Sequence, residues 1–377
     1  MKVIYVSNFM NHHVRPVADE LFETLGNNFI FVETARVRSD NSLKGSEVSD
    51  FLNIPYLYSF YNSSYNLISE KKLISLLEGC DVVIQGDTSD KYIKANLKKN
   101  KLIFRVSEHI LKGSKLDFLR IIKYFLRNLK LRNRKVYLLC ASSHTALDMR
   151  KANSFIGKTY RWGYFPTIFN KEDQCFSEKI STILWVGRMI DWKHPEYILH
   201  TARILHSENI SAVINVVGEG ELFDDIRQEI ELAGLNQYVN FKGKLNSNQV
   251  QHEMKVADVF IFTSDKAEGW GAVLNESMGN ACIPVASKLA GSTNYLVQNN
   301  VNGFIYDGSL DSFSDTLKIV LSLPDDRIKN IKKAAYNTIK EEWTSKVAVR
   351  RLIDFIESVD DVNQLTSYHK GPMSRTD

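Results

Sequence analysis

Short apolar runs of strand length alternate with helical patterns along nearly the whole chain, and this alternation restricts it to parallel sheets wrapped by helices. Candidate strands in the first half are Val3 to Val6, Phe29 to Val32, Val82 to Gln85, Leu102 to Val106 and Tyr137 to Cys140. The second half offers Ile183 to Val186, Ala212 to Val217, Val239 to Lys242, Val259 to Thr263 and Ile283 to Ala286. A chain of 377 residues has room for two domains that each bury a core. The pattern therefore predicts an α/β protein of two Rossmann-like halves, residues 1–170 and 180–342, with a polar linker over 171–179 inside the stretch NKEDQCFSEK. Trp343 to Ile356 has the spacing of an amphipathic helix. The polar tail 360–377, which contains Gly371 and Pro372, is expected to be disordered.

With 44% hydrophobic and 24% charged residues, the composition is that of an ordinary soluble protein. Cys80, Cys140, Cys175 and Cys282 are scattered without metal or disulfide spacing, which predicts reduced thiols in a cytosolic protein. The opening MKVIYVSNFM reads as a strand and lacks the long apolar region of a signal sequence. No run of about 18 apolar residues exists to span a bilayer.

The chemistry concentrates in EGWGAVLNESMGNACIPVAS, residues 268–287. The strand-like run ADVFIFTS precedes it, Gly269 and Gly271 open a turn, and Ala272 to Ala281 has helical spacing. Free N–H groups and the dipole of a helix end suit a phosphate or a sugar hydroxyl. Glu276, about one turn inside, can accept hydrogen bonds from the vicinal hydroxyls of a ribose, and Glu268 faces what the phosphates carry. Upstream, in ILWVGRMIDWKH, an apolar strand runs into Gly187, Arg188 and Lys193. Two cations on the loop after a strand occupy the place where open α/β sheets bind ligands. The alternative for both is a solvated surface charge.

Together with VVGEGEL at 216–222, VNFKGKL at 239–245, the Glu-x7-Glu segment and NGFIYD at 302–307, these stretches resemble the family-4 retaining glycosyltransferases of the GT-B fold. The resemblance is specific in the C-terminal half. It implies two Rossmann-like domains facing across a cleft, with the helix at 343–357 crossing back to the first. It assigns Arg188 and Lys193 to the diphosphate of a nucleotide-sugar, UDP- or GDP-linked, and Glu276 to its ribose, with Gly187 among the donor-binding residues. Gly218, Glu219 and Lys244 would lie near the base. Glu268 and the backbone of Gly269, Trp270, Gly271, Ala272 and Val273 would meet the donor sugar and distal phosphate. No cofactor or metal is implied beyond the donor itself. The family often has Gly-Gly-x-x-Glu after the next strand, whereas this chain reads Gly291-Ser292-Thr293-Asn294-Tyr295.

The N-terminal half departs further from the family. In KLIFRVSEHI a strand ends at Val106 and delivers Ser107, Glu108 and His109 to the rim of the sheet. Similar enzymes have a histidine there at the donor sugar or reacting centre, which makes His109 a catalytic candidate beside Glu268; the alternative is a solvated rim histidine. In SNFMNHHV, where relatives carry paired glycines, Asn11, His12 and His13 are acceptor-binding candidates, although Asn11 can equally cap the following helix.

Charge is divided unevenly. Residues 1–170 hold 26 Lys and Arg against 15 Asp and Glu, while the remainder is net acidic. Within 110–135, Lys123, Arg127, Lys130 and Arg134 recur at helical spacing beside Leu119, Ile122, Leu126 and Leu129. Such a helix suits an anionic membrane surface; the alternative packs its apolar stripe on the sheet. No nucleic-acid motif or stacking platform accompanies the basic run. The expectation is a peripheral, cytoplasmic-face enzyme that moves a sugar to a lipid-linked saccharide. The competing readings are a GT-B sugar-nucleotide epimerase and an inactive scaffold subunit.

Overall fold

The structure is a computed structural model and describes residues 1–35, 53–62, 65–167, 176–360 and 368–376. The chain divides into two compact units, Met1–Pro166 with Trp343–Asp377, and Thr167–Glu342. The expected linker lies largely outside the described residues, and so does Cys175. Cys80, Cys140 and Cys282 are free and buried.

The first unit holds β1 (Val3–Ser7), β2 (Phe29–Glu33), β3 (Leu57–Ser59), β4 (Asn66–Leu67), β5 (Val82–Gln85), β6 (Leu102–Ser107), β7 (Val136–Cys140) and β8 (Thr159–Arg161). They form a sheet of order β4-β3-β2-β1-β5-β6-β7-β8 with parallel pairing throughout. The second unit holds β9 (Thr182–Val186), β10 (Val213–Val217), β11 (Val239–Gly243), β12 (Val259–Phe262), β13 (Ile283–Ser287) and β14 (Phe304–Tyr306), in the order β11-β10-β9-β12-β13-β14. Its pairings are parallel too. Central strands read as unbroken apolar runs because helices cover both faces: every residue of β1, β5, β12 and β13 is buried.

The direction of winding reverses once in each sheet, between β1 and β5 and between β9 and β12. At such a point the loops leaving the two carboxyl ends run apart and open a crevice, where ligands of open α/β sheets bind.

The last helix, Ser345–Ser358, is capped by Thr344, whose hydroxyl accepts from the Val347 N–H at 3.2 Å. It packs on the helix Arg15–Leu25, and its Phe355 sits among Phe104, Tyr137 and Tyr160, so it belongs to the first unit. The tail corrects the expectation of disorder over its last residues. Gly371 and Met373 adopt positive φ, and Arg161 N–H donates to Ser374 O at 2.8 Å while Met373 N–H donates to Arg161 O at 2.8 Å. Arg375 thereby bridges Tyr160 antiparallel on the outer edge of β8. Arg351 of the last helix donates to the carbonyls of Lys370 and Pro372. Backbone pairing to a sheet edge needs no apolar side chains, which is why composition misses it. Strands β3, β4, β8 and β14 also escaped the sequence, being two or three residues long and too short for periodicity.

Candidate functional site

In the second unit the loops leaving β9, β10 and β11 are knitted together through glycines. Gly218 has φ +127°, and a Cβ there would lie 1.8 Å from the Gly187 carbonyl oxygen. A Cβ on Gly220 would lie 2.4 Å from the Met189 oxygen. The Met189 N–H donates to Glu219 O at 2.9 Å and the Leu222 N–H to Met189 O at 3.1 Å, closing this contact. Gly218 N–H reaches Gly243 O at 2.9 Å, and the Glu219 carboxylate accepts from the Lys244 N–H at 3.3 Å. Gly187, Gly218, Glu219 and Lys244 are thus one neighbourhood. Arg188 is exposed, with its guanidinium 5.6 Å from the centre of the Trp192 ring, a cation–π distance.

Lys193 and Glu268 meet across the switch point. The Lys193 ammonium forms an ion pair with Glu268 Oε2, and both side chains are only 15% exposed. Ser264 Oγ donates to the same carboxylate oxygen at 3.1 Å. Thr263 donates to the Lys193 carbonyl and accepts from Trp185 Nε1 at 2.9 Å, which ties the loop after β9 to β12. His194 takes a left-handed conformation, φ 51°, and lies 2.7 Å from Glu196, whose hydrogen bond raises its pKa above the ordinary imidazole value.

After β12, Gly271 at φ +85° faces Phe262, whose ring a Cβ would meet at 2.3 Å. This turn feeds the helix Val273–Gly279, with Ala272 as its N-cap, so the helix is shorter than its sequence spacing predicts. Trp270 is buried, its Nε1 donating to Asn275 Oδ1 at 2.7 Å, and Gly269 is buried beside it. Glu276 is partly buried, and no hydrogen-bond partner for its carboxylate exists among the described residues. Desolvation pushes its pKa up to about 7. A carboxylate held this way gains from any ligand that brings it donors.

At the first unit's switch point, Gly86 after β5 sits against Ser7 of β1, and Asn8 Nδ2 donates to Asp87 at 3.2 Å. Asn11 Oδ1 accepts from the N–H groups of His13 and Val14, both at 3.0 Å, so its carbonyl closes the turn into the helix Arg15–Leu25. His12 and His13 rings lie 3.7 Å apart, and His13 stacks on Tyr164 at 4.9 Å, nearly parallel. Burial, then the neighbouring His12, lowers the His13 pKa to about 3, and its Nδ1 is buried without a partner. Tyr164 in turn donates to Glu108 Oε1 at 2.6 Å. His109 is not a solvated rim residue. It is 3% exposed, with Nδ1 3.0 Å from Ser142 Oγ and its ring edge-on to His144. Sequence reasoning missed Trp192, Ser264 and Tyr164. The first two lie inside motif stretches already singled out, whereas Tyr164 carries no sequence signal because the fold alone brings it to His13.

Comparison with known proteins places these loops in context. Residues 167–338 match the family model described as glycosyl transferases group 1. A Streptococcus gordonii relative, the UDP-N-acetylglucosamine--peptide N-acetylglucosaminyltransferase GtfA subunit, is 20% identical over 44% of this chain and 33% of its own length. The GDP-mannose-dependent alpha-(1-6)-phosphatidylinositol monomannoside mannosyltransferase of Mycobacterium tuberculosis is 23% identical over 48% of each. The chain thus spans half or less of the curated relatives it matches. Among solved structures, Anabaena HepE in complex with UDP and glucose covers 95% of this chain and all of its own, with TM-score 0.65 and 14% identity. That likeness is one of fold.

Proposed function

On the premise that residues 167–338 form a family-4-like domain of the glycosyl transferases group 1 and that the chain has the GT-B fold, we propose that it transfers a sugar from a UDP- or GDP-linked donor to a hydroxyl of a lipid-linked saccharide, with retention at the anomeric carbon. The pathway is bacterial surface-polysaccharide assembly, capsule or O-antigen. The observation that carries the reading is the unpartnered Glu276 carboxylate, set next to the Gly269–Val273 turn in the segment after β12, whose Glu268 pairs with Lys193 of the loop after β9.

In this reading Glu276 accepts the two ribose hydroxyls, Gly218, Glu219 and Lys244 border the base, and Arg188 and Lys193 neutralise the diphosphate as it leaves. Preorganised cations and N–H groups act most strongly on charge that grows in the transition state. The departing phosphate oxygen takes the acceptor proton, so neither a metal ion nor a separate protein base is needed. Glu268 exchanges part of its ion pair for a hydroxyl of the donor sugar, and His109, fixed by Ser142, serves the reacting centre. Asn11, His12 and His13 hold the acceptor.

Support for a peripheral place on the inner face of the plasma membrane comes from the helix Asp117–Asn128. Its Phe118, Leu119 and Leu126 are 69%, 60% and 61% exposed, and Ile122 and Leu129 are exposed with them. The apolar stripe is thus not spent on the sheet. No helix among the described residues is long and apolar enough to cross a membrane. The test is a product assay with lipid-linked saccharide and sugar nucleotides in excess chelator. Acceptor-dependent glycoside with the donor's anomeric configuration is expected. Interconversion of sugar nucleotides without acceptor would make the protein an epimerase, and absence of nucleotide binding a scaffold.

A further inference from the structure

The basic stripe is not uniform. Arg127 donates to Asp90 through Nε at 2.9 Å and through a terminal nitrogen at 2.7 Å, and Asp90 also meets Arg105 at 2.5 Å. Burial opposes ionisation of Asp90, but these two guanidinium groups outweigh it and hold its pKa at about 2. Arg127 is therefore committed to the fold, and its charge is not offered to a surface.

Two other cations of the stripe, Lys130 and Arg134, join lysines from outside it. A cavity of about 360 Å³ opens between the segment Asp90–Lys98 and the turn Leu129–Leu131 that follows the exposed helix, and its wall carries Lys91, Lys94, Lys98, Lys130 and Arg134. The one carboxylate in that wall, Asp90, is already matched by Arg105 and Arg127, and Lys130 stands 3.9 Å from it. Lys91 is paired with Glu70 at 2.7 Å, whereas Lys94, Lys98 and Arg134 have no carboxylate partner among the described residues and are exposed. Lys130 stands one turn beyond Leu126, so the mouth of the cavity adjoins the exposed apolar face.

We propose that this cavity seats the phosphate-bearing headgroup of an anionic membrane lipid, while Phe118, Leu119, Ile122 and Leu126 enter the acyl boundary beside it. A phosphodiester carries the charge that the wall lacks, and the apolar face supplies what a free anion would not use. Long lysine side chains lay their stems along apolar surface and keep the ammonium at headgroup level, so one docked pose satisfies both. The inference rests on the membrane-surface reading but is more specific, since it keeps Arg134 of the regular stripe and adds Lys94 and Lys98, which lie outside it.

The experiment co-sediments the full chain with vesicles of phosphatidylcholine alone and of phosphatidylcholine with phosphatidylglycerol. Wild type should partition far more strongly into the anionic vesicles. Each cation near an anionic surface contributes on the order of fivefold, so Lys94→Glu, Lys98→Glu, Arg134→Glu together should remove on the order of a hundredfold of that preference. Residual binding to neutral vesicles should survive in this variant. A second variant, Leu119→Ser, Leu126→Ser, should lose binding to both kinds. Unchanged melting temperature and donor affinity certify that each variant is folded. If the charge-reversal variant sediments like wild type while the serine variant is released, the headgroup site is wrong and the membrane reading stands. If wild type binds neither vesicle, both fall. Release by inorganic phosphate beyond a chloride control of equal ionic strength would show that the cavity takes a free anion and overturn the lipid assignment.

Discussion

The two switch points are built from different materials. In the second unit the loops leaving β9 to β12 are organised largely by backbone, with glycines at positive φ pressed against carbonyls, and one partly buried ion pair crosses from the loop after β9 to the loop after β12. In the first unit the rim from β1 to β7 is furnished with side chains: His13 stacked on Tyr164 with His12 tilted against it, and the His109–Ser142 pair on the loops after β6 and β7. Backbone geometry restricts the residue types that can occupy a position, whereas a cluster of side chains can be rebuilt from other residues. A site that meets an invariant nucleotide diphosphate suits the first construction, and one that meets a variable saccharide suits the second.

The largest expected effect tests that contrast directly. Gly218→Ala places a Cβ 1.8 Å from a carbonyl at a φ that L residues rarely adopt, which the knitted loops cannot relieve. A loss of about 3–5 kcal/mol in urea unfolding is expected, together with loss of donor binding. In the first unit Gly86→Ala meets side chains and not backbone, Ser7 Oγ at 2.4 Å, Ser7 Cβ at 2.9 Å and the Tyr5 ring at 3.4 Å, and should cost about 1–2 kcal/mol. Equal losses would show that the two switch points are equally constrained.

The next effect is on turnover. Arg188, exposed and within cation–π distance of Trp192, can be removed without leaving a buried charge. Arg188→Ala should lower kcat by about 2–4 kcal/mol in activation free energy with an unchanged melting temperature. Lys193→Ala should lower kcat comparably but also strand Glu268, costing about 2 kcal/mol of stability. Adding Glu268→Gln should restore the stability and leave turnover low. Recovery of turnover in that double variant would reduce the pair to a structural tie.

The last effect belongs to the first unit and is confined to acid pH. A histidine whose pKa drops from 6.5 to about 3 on folding binds its proton more tightly unfolded, so stability is lost as pH falls below 6.5. At about pH 5 the loss is about 2 kcal/mol. His13→Phe keeps the stack on Tyr164 and should flatten this acid dependence, read by hydrogen exchange at β1 and β5. Persistence of the slope would place the acid sensitivity in another group.

The same contrast governs what could be read from the sequence. Strands β9 to β13, the glycine turn and the Glu-x7-Glu spacing were legible because apolar runs and glycines report backbone directly. The grouping of Gly218, Glu219 and Lys244 came from the family resemblance, and the strand order β11-β10-β9 is what brings their loops together. Tyr164 reaching His13, the burial of His109 and the capture of Arg127 by Asp90 were not legible, because each joins residues 20 or more positions apart through packing that no local pattern encodes. The tail segment ending at Arg375 was misread for a related reason: glycine and proline there form an ordered turn held by Arg351 and the edge of β8.

Glu276 offers the most direct test of the claim that the second unit's switch point holds a nucleotide-sugar. Its carboxyl, with pKa about 7 in the unliganded protein, must be ionised to accept two ribose hydroxyls. Protonation below that value therefore competes with binding. His194 titrates in the opposite sense, since its proton would favour a diphosphate at low pH. Calorimetric titration with UDP- and GDP-sugars at about pH 6 and about pH 8 should show one nucleotide series binding about tenfold more tightly at the higher pH. Glu276→Gln should bind weakly at both. A pH-independent wild-type affinity, or a Glu276→Gln variant that binds like wild type, would contradict the assignment.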